Sequence, residues 1–321
     1  MSTATAIKKP APVPGPTEPF KSKRMALGAV TRGKQVKPDR VLLFGVEGIG
    51  KSTWAANAPS PIFIPVEDGT ANLDVARFPE PSGWMDVMDA IQTLTVDAHE
   101  YKTVAIDTLD ALEAMCWKHI CERDQQSSIE AYGYGKGYVA ALDQWRTLIA
   151  ALEKLQRDRG IGVVLIAHSW IKTFKNPEGE DYDRYELKLN AKAAGLFREW
   201  SEDVLFARYE TFAEPDKKGN VKGISSGARV IHTQRTAAWD AKNRHSLPEQ
   251  LPLDYEAYAE AVKKLQPADP EKLRAEIKTK LALVTDKAVA EKVEKAMATA
   301  GDDAIQLARI DNKLTVLTKG A

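Results

Sequence analysis

The sequence predicts an α/β fold with a mostly parallel central sheet flanked by helices, followed by a small C-terminal helical segment. Three observations carry this expectation. Short apolar runs recur between residues 41 and 167, helical periodicity fills the intervals between them, and a proline break near residue 267 opens a second, purely helical pattern. With 44% hydrophobic and 28% charged residues in a chain of 321, there is material for a large core, which excludes the disordered and fibrous classes. No secretory apolar region and no run of 18 apolar residues occurs, so a cytoplasmic protein without a membrane partner is expected.

Pro10, Pro12, Pro14, Pro16 and Pro19 interrupt any regular pattern at the start of the chain, and the first 40 residues hold nine Lys or Arg against two acids. A disordered basic arm is expected over 1–24, serving as a solubilising tail or as a contact for nucleic acid or an acidic partner. The whole chain carries 45 basic and 45 acidic residues. Bulk charge therefore does not hold it on DNA, and any nucleic-acid surface has to be local.

The core is expected over 25–266. Its strands read as 41–44, 61–66, 103–106 and 162–167, continuous apolar runs of the kind buried on both faces. Its helices read as 51–58, 84–93, 109–123 and 139–157. Further strands are expected at 204–209 and 228–234, with a Lys/Gly turn over 216–223 between them. In the C-terminal segment, 267–321, helical spacing links Leu273, Ile277, Leu281 and Val284, then Val289, Val293 and Met297, then Ile305, Ala308 and Leu314. Three short amphipathic helices are predicted there; their lysines, among them Lys278, Lys287 and Lys295, alternate with acids as on a solvated face. Cys116 and Cys121, with His119 between them, lack a fourth ligand and the paired spacing of a metal site, so a reduced, partly buried pair is expected.

The segment Gly45-Val46-Glu47-Gly48-Ile49-Gly50-Lys51-Ser52 fits G-x-x-x-x-G-K-[ST] and lies between a predicted strand and a predicted helix, as that motif requires. Its glycines let consecutive backbone N–H groups turn inward around a β-phosphate, and the helix N-terminus adds its positive end. Residues 45–53, through Thr53, are the expected ATP-binding segment, with Lys51 reaching the β/γ oxygens and Ser52 binding Mg2+. Asp107, at the end of the apolar run 103–106, is the expected second residue of the magnesium shell. A hydrolase also needs a group to polarise the attacking water. Many P-loop ATPases carry a glutamate directly after that aspartate, but Thr108 stands there. The strand after the P-loop helix ends instead in Glu67-Asp68-Gly69. Glu67 is the candidate general base, Asp68 its rival, and an acidic helix cap around Asp68-Gly69-Thr70 the structural alternative.

With these residues the chain resembles the RecA-type P-loop ATPases over roughly residues 40–265, and more narrowly the phage-encoded RecA-like ATPases that include single-strand annealing proteins. The resemblance implies a RecA-like core and adds two elements. His168, after the run 163–167, stands at the family's sensor position, where glutamine is common. It either donates to the γ-phosphate or is satisfied by local backbone groups. Lys242 and Arg244 resemble the Lys-x-Lys or Lys-x-Arg pair that reaches the γ-phosphate of a neighbouring subunit, which implies a homo-oligomer with ATP between subunits. An exposed basic turn before Pro248 is the alternative.

Relatives of this type bind single-stranded DNA on loops after the metal-binding and sensor strands. The first counterpart here is Tyr132-Gly133-Tyr134-Gly135-Lys136-Gly137-Tyr138, which offers stacking faces, a flexible backbone and one cation, unless its tyrosines pack under the next helix. The second is 170–188, where the acids at 178–183 oppose binding along the whole length. The implied function is ATP-driven binding or annealing of single-stranded DNA in phage recombination or replication, with a phage or host replication or recombination protein as a further partner. The alternatives are a nucleotide-gated assembly or scaffold ATPase that does not touch DNA, and a helicase- or helicase-loader-like motor.

Overall fold

A computed structural model describes residues 29–30, 37–215, 221–265, 270–282, 284, 287–301, 307, 310–311 and 314. The expected arm over 1–24, residues 216–220 of the Lys/Gly turn and the proline break lie outside the described residues, as does most of the third C-terminal helix.

In chain order the elements are β1 (Arg40–Gly45), α1 (Lys51–Ala56), β2 (Pro61–Pro65), β3 (Ala76–Arg77), α2 (Trp84–Val96), β4 (Thr103–Asp107), α3 (Leu109–Arg123), α4 (Lys136–Arg159), β5 (Gly162–Phe174), β6 (Tyr182–Leu187), α5 (Ala191–Trp200), β7 (Asp203–Pro215), β8 (Val221–His232), β9 (Gln250–Pro252), α6 (Tyr255–Leu265), α7 (Pro270–Leu281) and α8 (Lys287–Ala300). The strands order as β3-β2-β4-β5-β1-β7-β8-β9, parallel from β3 to β7 and antiparallel beyond, with β6 antiparallel to the outer half of β5. This is the expected class: α/β, with a largely parallel central sheet between helices.

Side-chain alternation explains why β1 reads as an unbroken apolar run. Val41 and Leu43 pack on one face with Trp54 of α1 and Tyr258 and Val262 of α6. Leu42 and Phe44 pack on the other with Ile91 of α2, Leu112 of α3, Trp145 of α4 and Phe197 of α5. Aromatic edges lock both layers: Trp54 meets Tyr255 and Tyr258 at centroid distances of 4.8 and 5.4 Å, and Trp145 meets Trp84 and Phe197 at 5.2 and 5.0 Å. Among the described C-terminal residues, Leu273, Ile277, Ala300, Leu307 and Leu314 bury against one another with Leu281, Val293 and Met297 around them, a cluster of its own that combines predicted apolar positions with Ala300 and Leu307, which the helical spacing does not pick out.

The largest departure from the sequence reading is β5, which runs past residue 167 to Phe174 and forms a hairpin with β6 where loop was expected. Its outer half, Ser169 to Phe174, is mostly exposed and mixes polar with apolar residues, so no period marks it as strand. β6, α5, β9 and α6 are likewise additions to the predicted elements. No described helix is long and apolar enough to cross a membrane. The parallel registers Pro65↔Asp107, Asp107↔Ile166 and Phe44↔Ala167 bring the C-terminal ends of β2, β4, β5 and β1 to one sheet edge. A parallel α/β sheet binds its ligands at such an edge.

Candidate functional site

At this edge the chain turns from β1 through residues 46–50 into α1. A Cβ on Gly45 would lie 2.1 Å from the Ala207 carbonyl oxygen of β7, and Gly50 has φ 108°, so neither position accepts a side chain. Lys51 is buried, and its ammonium donates to the carbonyls of Val46 at 3.0 Å and Gly45 at 3.3 Å. Burial pulls its pKa down, against the opposing pull of Asp107, Asp110, Glu67 and Glu47. A cation so close to four carboxylates, resting only on backbone carbonyls, can exchange them for phosphate oxygens.

Asp107 ends β4 with 1% of its surface exposed. Burial raises its pKa, while a hydrogen bond from the Ser52 hydroxyl lowers it. Its Oδ2 has no hydrogen-bond partner. A buried carboxylate oxygen without a donor is costly unless a water or cation meets it, and carboxylate plus hydroxyl oxygens are the donors a hard divalent ion takes. Ser52 and Asp107 therefore fit Mg2+.

Glu67 comes to the same place from β2. The amides of Val66 and Glu67 donate to the Asp107 carbonyl at 2.7 and 3.2 Å, which draws the chain over the end of β4. There the Thr108 hydroxyl donates to Glu67 Oε2 at 3.2 Å. The carboxylate that sequence alone finds missing after Asp107 thus arrives from the neighbouring strand. Its side chain is 37% exposed, open to water. Asp68 is exposed, and no helix starts at Asp68-Gly69-Thr70 for it to cap.

His168 lies where β5 leaves the core. Its amide donates to Asp110 Oδ1 at 2.9 Å, its Nδ1 is 2.9 Å from Asp110 Oδ2, and its Nε2 is 3.9 Å from Glu67 Oε1. The ring is held by the Asp110 side chain, not by local backbone groups, and its other nitrogen faces Glu67. Burial alone would raise the pKa of Asp110, but the bonds from His168 outweigh it and hold the carboxyl below its ordinary value. Glu67, Asp110 and His168 each offer a ligand atom, all within 4.8 Å of one another.

Asp110, Thr108 and Arg229 were not among the sequence candidates. An acid in the first turn of a helix reads as a favourable partner of the helix dipole, so Asp110 raised no flag. Arg229 of β8 donates from Nη1 to the Ile49 carbonyl at 3.2 Å and lies against Gly50. No local pattern connects it to a loop so far back in the chain.

Lys242 and Arg244 are not brought to this edge. Lys242 pairs with Val204 at the start of β7, the opposite end of the sheet, and its ammonium donates to the carbonyls of Arg198, Glu199 and Ser201 at 2.9, 3.1 and 2.6 Å, closing the C-terminus of α5. Arg244 is exposed, with its amide donating to Asp203.

Of the tyrosines at 132–138, two pack. The Tyr132 hydroxyl donates to the Ile120 carbonyl and to Asp124, and Tyr138 bonds Glu130 and meets Trp117 edge-on at 5.4 Å. Tyr134 between them is fully exposed. On the β5–β6 hairpin, Trp170 and Ile171 are exposed and the Lys172 ammonium lies 5.4 Å from the Trp170 ring centroid, whereas Lys175 is paired with Asp181. Cys116 and Cys121 are buried free thiols.

No curated protein is a match for this chain. A crystal structure of the RadB recombinase is similar over 61% of this chain and 80% of that chain, at 14% identity and a TM-score of 0.36, too slight a likeness to carry function. The AAA domain family matches residues 37–245, from just before β1 through the loop after β8, with every group gathered at the sheet edge inside that span. On this match, over more than half its length, the chain belongs to the AAA domain family.

Proposed function

We propose that this protein is a Mg2+-dependent ATPase of RecA type that assembles as a homo-oligomer and binds single-stranded DNA. The observation that supports it most is the meeting of Lys51, the Ser52–Asp107 pair and Glu67 at one sheet edge. In this reading residues 45–53 hold the ATP phosphates, and Lys51 leaves the Gly45 and Val46 carbonyls for the β/γ oxygens. Ser52 and Asp107 would hold Mg2+, which supplies neutralisation of the phosphate charge. Glu67, oriented by the Thr108 hydroxyl, takes a proton from the attacking water. The water oxygen bonds to the γ-phosphorus as its bond to the bridging oxygen breaks and ADP departs.

The exposed Arg244 lies at the opposite end of the sheet from its own P-loop, as suits a cation that reaches the nucleotide of a head-to-tail neighbour. Tyr134 and the Trp170–Lys172 pair are the surfaces we assign to stacked bases and phosphate. Residues 25–266 form the catalytic core in this reading, with 1–24 and 267–321 as appendages, and phage recombination or replication is the setting it fits.

Two measurements on one preparation test the reading: phosphate release with and without Mg2+, and anisotropy of labelled oligo-dT at low and high salt, with and without ATP. Release should require Mg2+ and vanish in Lys51→Ala, and oligo-dT binding should weaken steeply with salt. Release without any oligonucleotide binding at low salt would remove the DNA half in favour of a nucleotide-gated assembly protein; no release would remove the ATPase half.

A further inference from the structure

We propose that Asp110 is a positioning residue for hydrolysis: it fixes the tautomer and direction of His168, so that His168 Nε2 and Glu67 together hold the attacking water. The inference rests on the ATPase reading above.

Asp110 spends both carboxylate oxygens on one residue, Oδ1 on the His168 amide and Oδ2 on ring Nδ1, each at 2.9 Å. Two bonds to backbone and ring of the same residue fix the ring's torsion as well as its place. The residue is pinned from the far side as well, because the Lys188 amide donates to the His168 carbonyl at 2.9 Å. An ionised carboxylate only accepts hydrogen bonds, so in the neutral form of the imidazole Asp110 selects the tautomer with the hydrogen on Nδ1 and the lone pair on Nε2. That lone pair faces Glu67 Oε1 across 3.9 Å, too long for a direct bond and short enough for one water to donate to both.

A water so held has both hydrogens engaged and its oxygen free to attack. On attack one proton passes to Glu67, the other stays on the oxygen and keeps its bond to His168, and His168 itself gains no proton. This role differs from that of a γ-phosphate donor, which would need the hydrogen on Nε2. The three groups also lie within reach of a cation. With both Asp110 oxygens committed to His168, however, that carboxylate acts through the imidazole, as an outer partner does in orienting a histidine.

The test uses the full-length protein. Imidazole 15N shifts of His168, assigned by comparison with His168→Gln, should show a protonated Nδ1 and a bare Nε2 without nucleotide, and Asp110→Asn should move the hydrogen to Nε2. Asp110→Asn should lower kcat about 10- to 100-fold, the usual cost of losing an outer partner, with KM for ATP unchanged. The double variant Asp110→Asn/His168→Gln should be no slower than His168→Gln alone, since one residue acts through the other. A wild-type protein that hydrolyses ATP yet carries the hydrogen on Nε2, or losses that multiply in the double variant, would overturn the positioning role alone. Absence of wild-type hydrolysis would sink the ATPase reading, and this role with it.

Discussion

Asp107 and Asp203 are both buried aspartates at the ends of parallel strands, 1% and 0% exposed, and they sit at opposite edges of the sheet. Around Asp203 every acceptor is met: the Arg244 amide donates to Oδ1 at 3.2 Å, and His245 Nδ1 and the Tyr258 hydroxyl reach Oδ2 at 2.8 and 2.6 Å. Around Asp107 the Ser52 hydroxyl serves the carboxylate while Oδ2 is left without a donor. Burial alone does not separate a structural carboxylate from a functional one. Asp203 ties α6 and the 243–245 segment to β7, so its desolvation is offset within the fold. Asp107 bears a desolvation cost that Ser52, Lys51 and His168 offset only in part, the imbalance expected of a group kept for a ligand.

The comparison breaks most visibly in activity. Glu67→Gln, beside Asp107, should lower turnover at least ~100-fold with ATP still bound and thermal unfolding unchanged. An equal loss from a change at the Asp203 edge with the fold intact would erase the distinction. In stability the order reverses. Asp203→Ala should cost about 3 kcal/mol, because it strands the His245 imidazole and the Tyr258 hydroxyl in a buried site. Asp107→Asn should leave the nucleotide-free protein as stable or more so, since burial disfavours the charge it removes, while abolishing Mg2+-dependent hydrolysis. Urea denaturation of the two variants, read against phosphate release, decides between these outcomes.

The edge that gathers Lys51, Asp107 and Glu67 is far more legible in sequence than the Asp203 edge, and the reason is local pattern. The P-loop and Asp107 are each written into one strand–turn–helix or strand end, so a few contiguous residues announce them. Glu67 follows from asking which other strand end could supply the glutamate absent at Thr108, and the Thr108 hydroxyl bonds it in space. Asp110 is not legible because its partner His168 lies on a strand 58 residues further along the chain, and an acid in a helix's first turn already has a sufficient explanation. Asp203, His245 and Tyr258 come from β7, a loop and α6, and their meeting is a product of tertiary packing that no period encodes. The hairpin half of β5 was missed for a related reason, since an exposed strand beyond a sheet edge needs no alternation.

A smaller effect sharpens the comparison through pH. The hydrogen bond to Asp203 raises the pKa of His245, partly opposed by burial and reinforced by the charges of Asp203 and Asp39. A histidine whose folded pKa exceeds its unfolded value stabilises fully below about 6.5, and the contribution is lost as pH rises through the folded value. The gap in Tm between wild type and His245→Gln should therefore be widest near pH 6 and shrink towards pH 8. Asp39, 4.0 Å from His245 Nε2, works in the same sense: burial raises it to about 6, so its contribution is lost as pH rises from about 4 through 6 and overlaps the lower end of the His245 window. A gap that widened with pH would mean that Asp203 is satisfied by Tyr258 and the Arg244 amide alone.

The smallest effect concerns Lys242, beside the Asp203 edge. Its ammonium meets three carbonyls at the end of α5, where a cation also opposes the negative end of the helix, so Lys242→Met should cost about 1 kcal/mol. Burial, followed by the nearby charges of Arg244 and Arg40, lowers its pKa, as befits a cation held by carbonyls in place of carboxylates. If this is its whole role, phosphate release per folded molecule stays at the wild-type level. Arg244→Ala gives the complementary result: an exposed side chain leaves stability within about 0.5 kcal/mol, and hydrolysis falls only under conditions where copies associate. Loss of hydrolysis in Lys242→Met with stability untouched would instead require the ammonium to leave α5 for a neighbour's phosphate, and would make the Asp203 edge part of an active site assembled between copies.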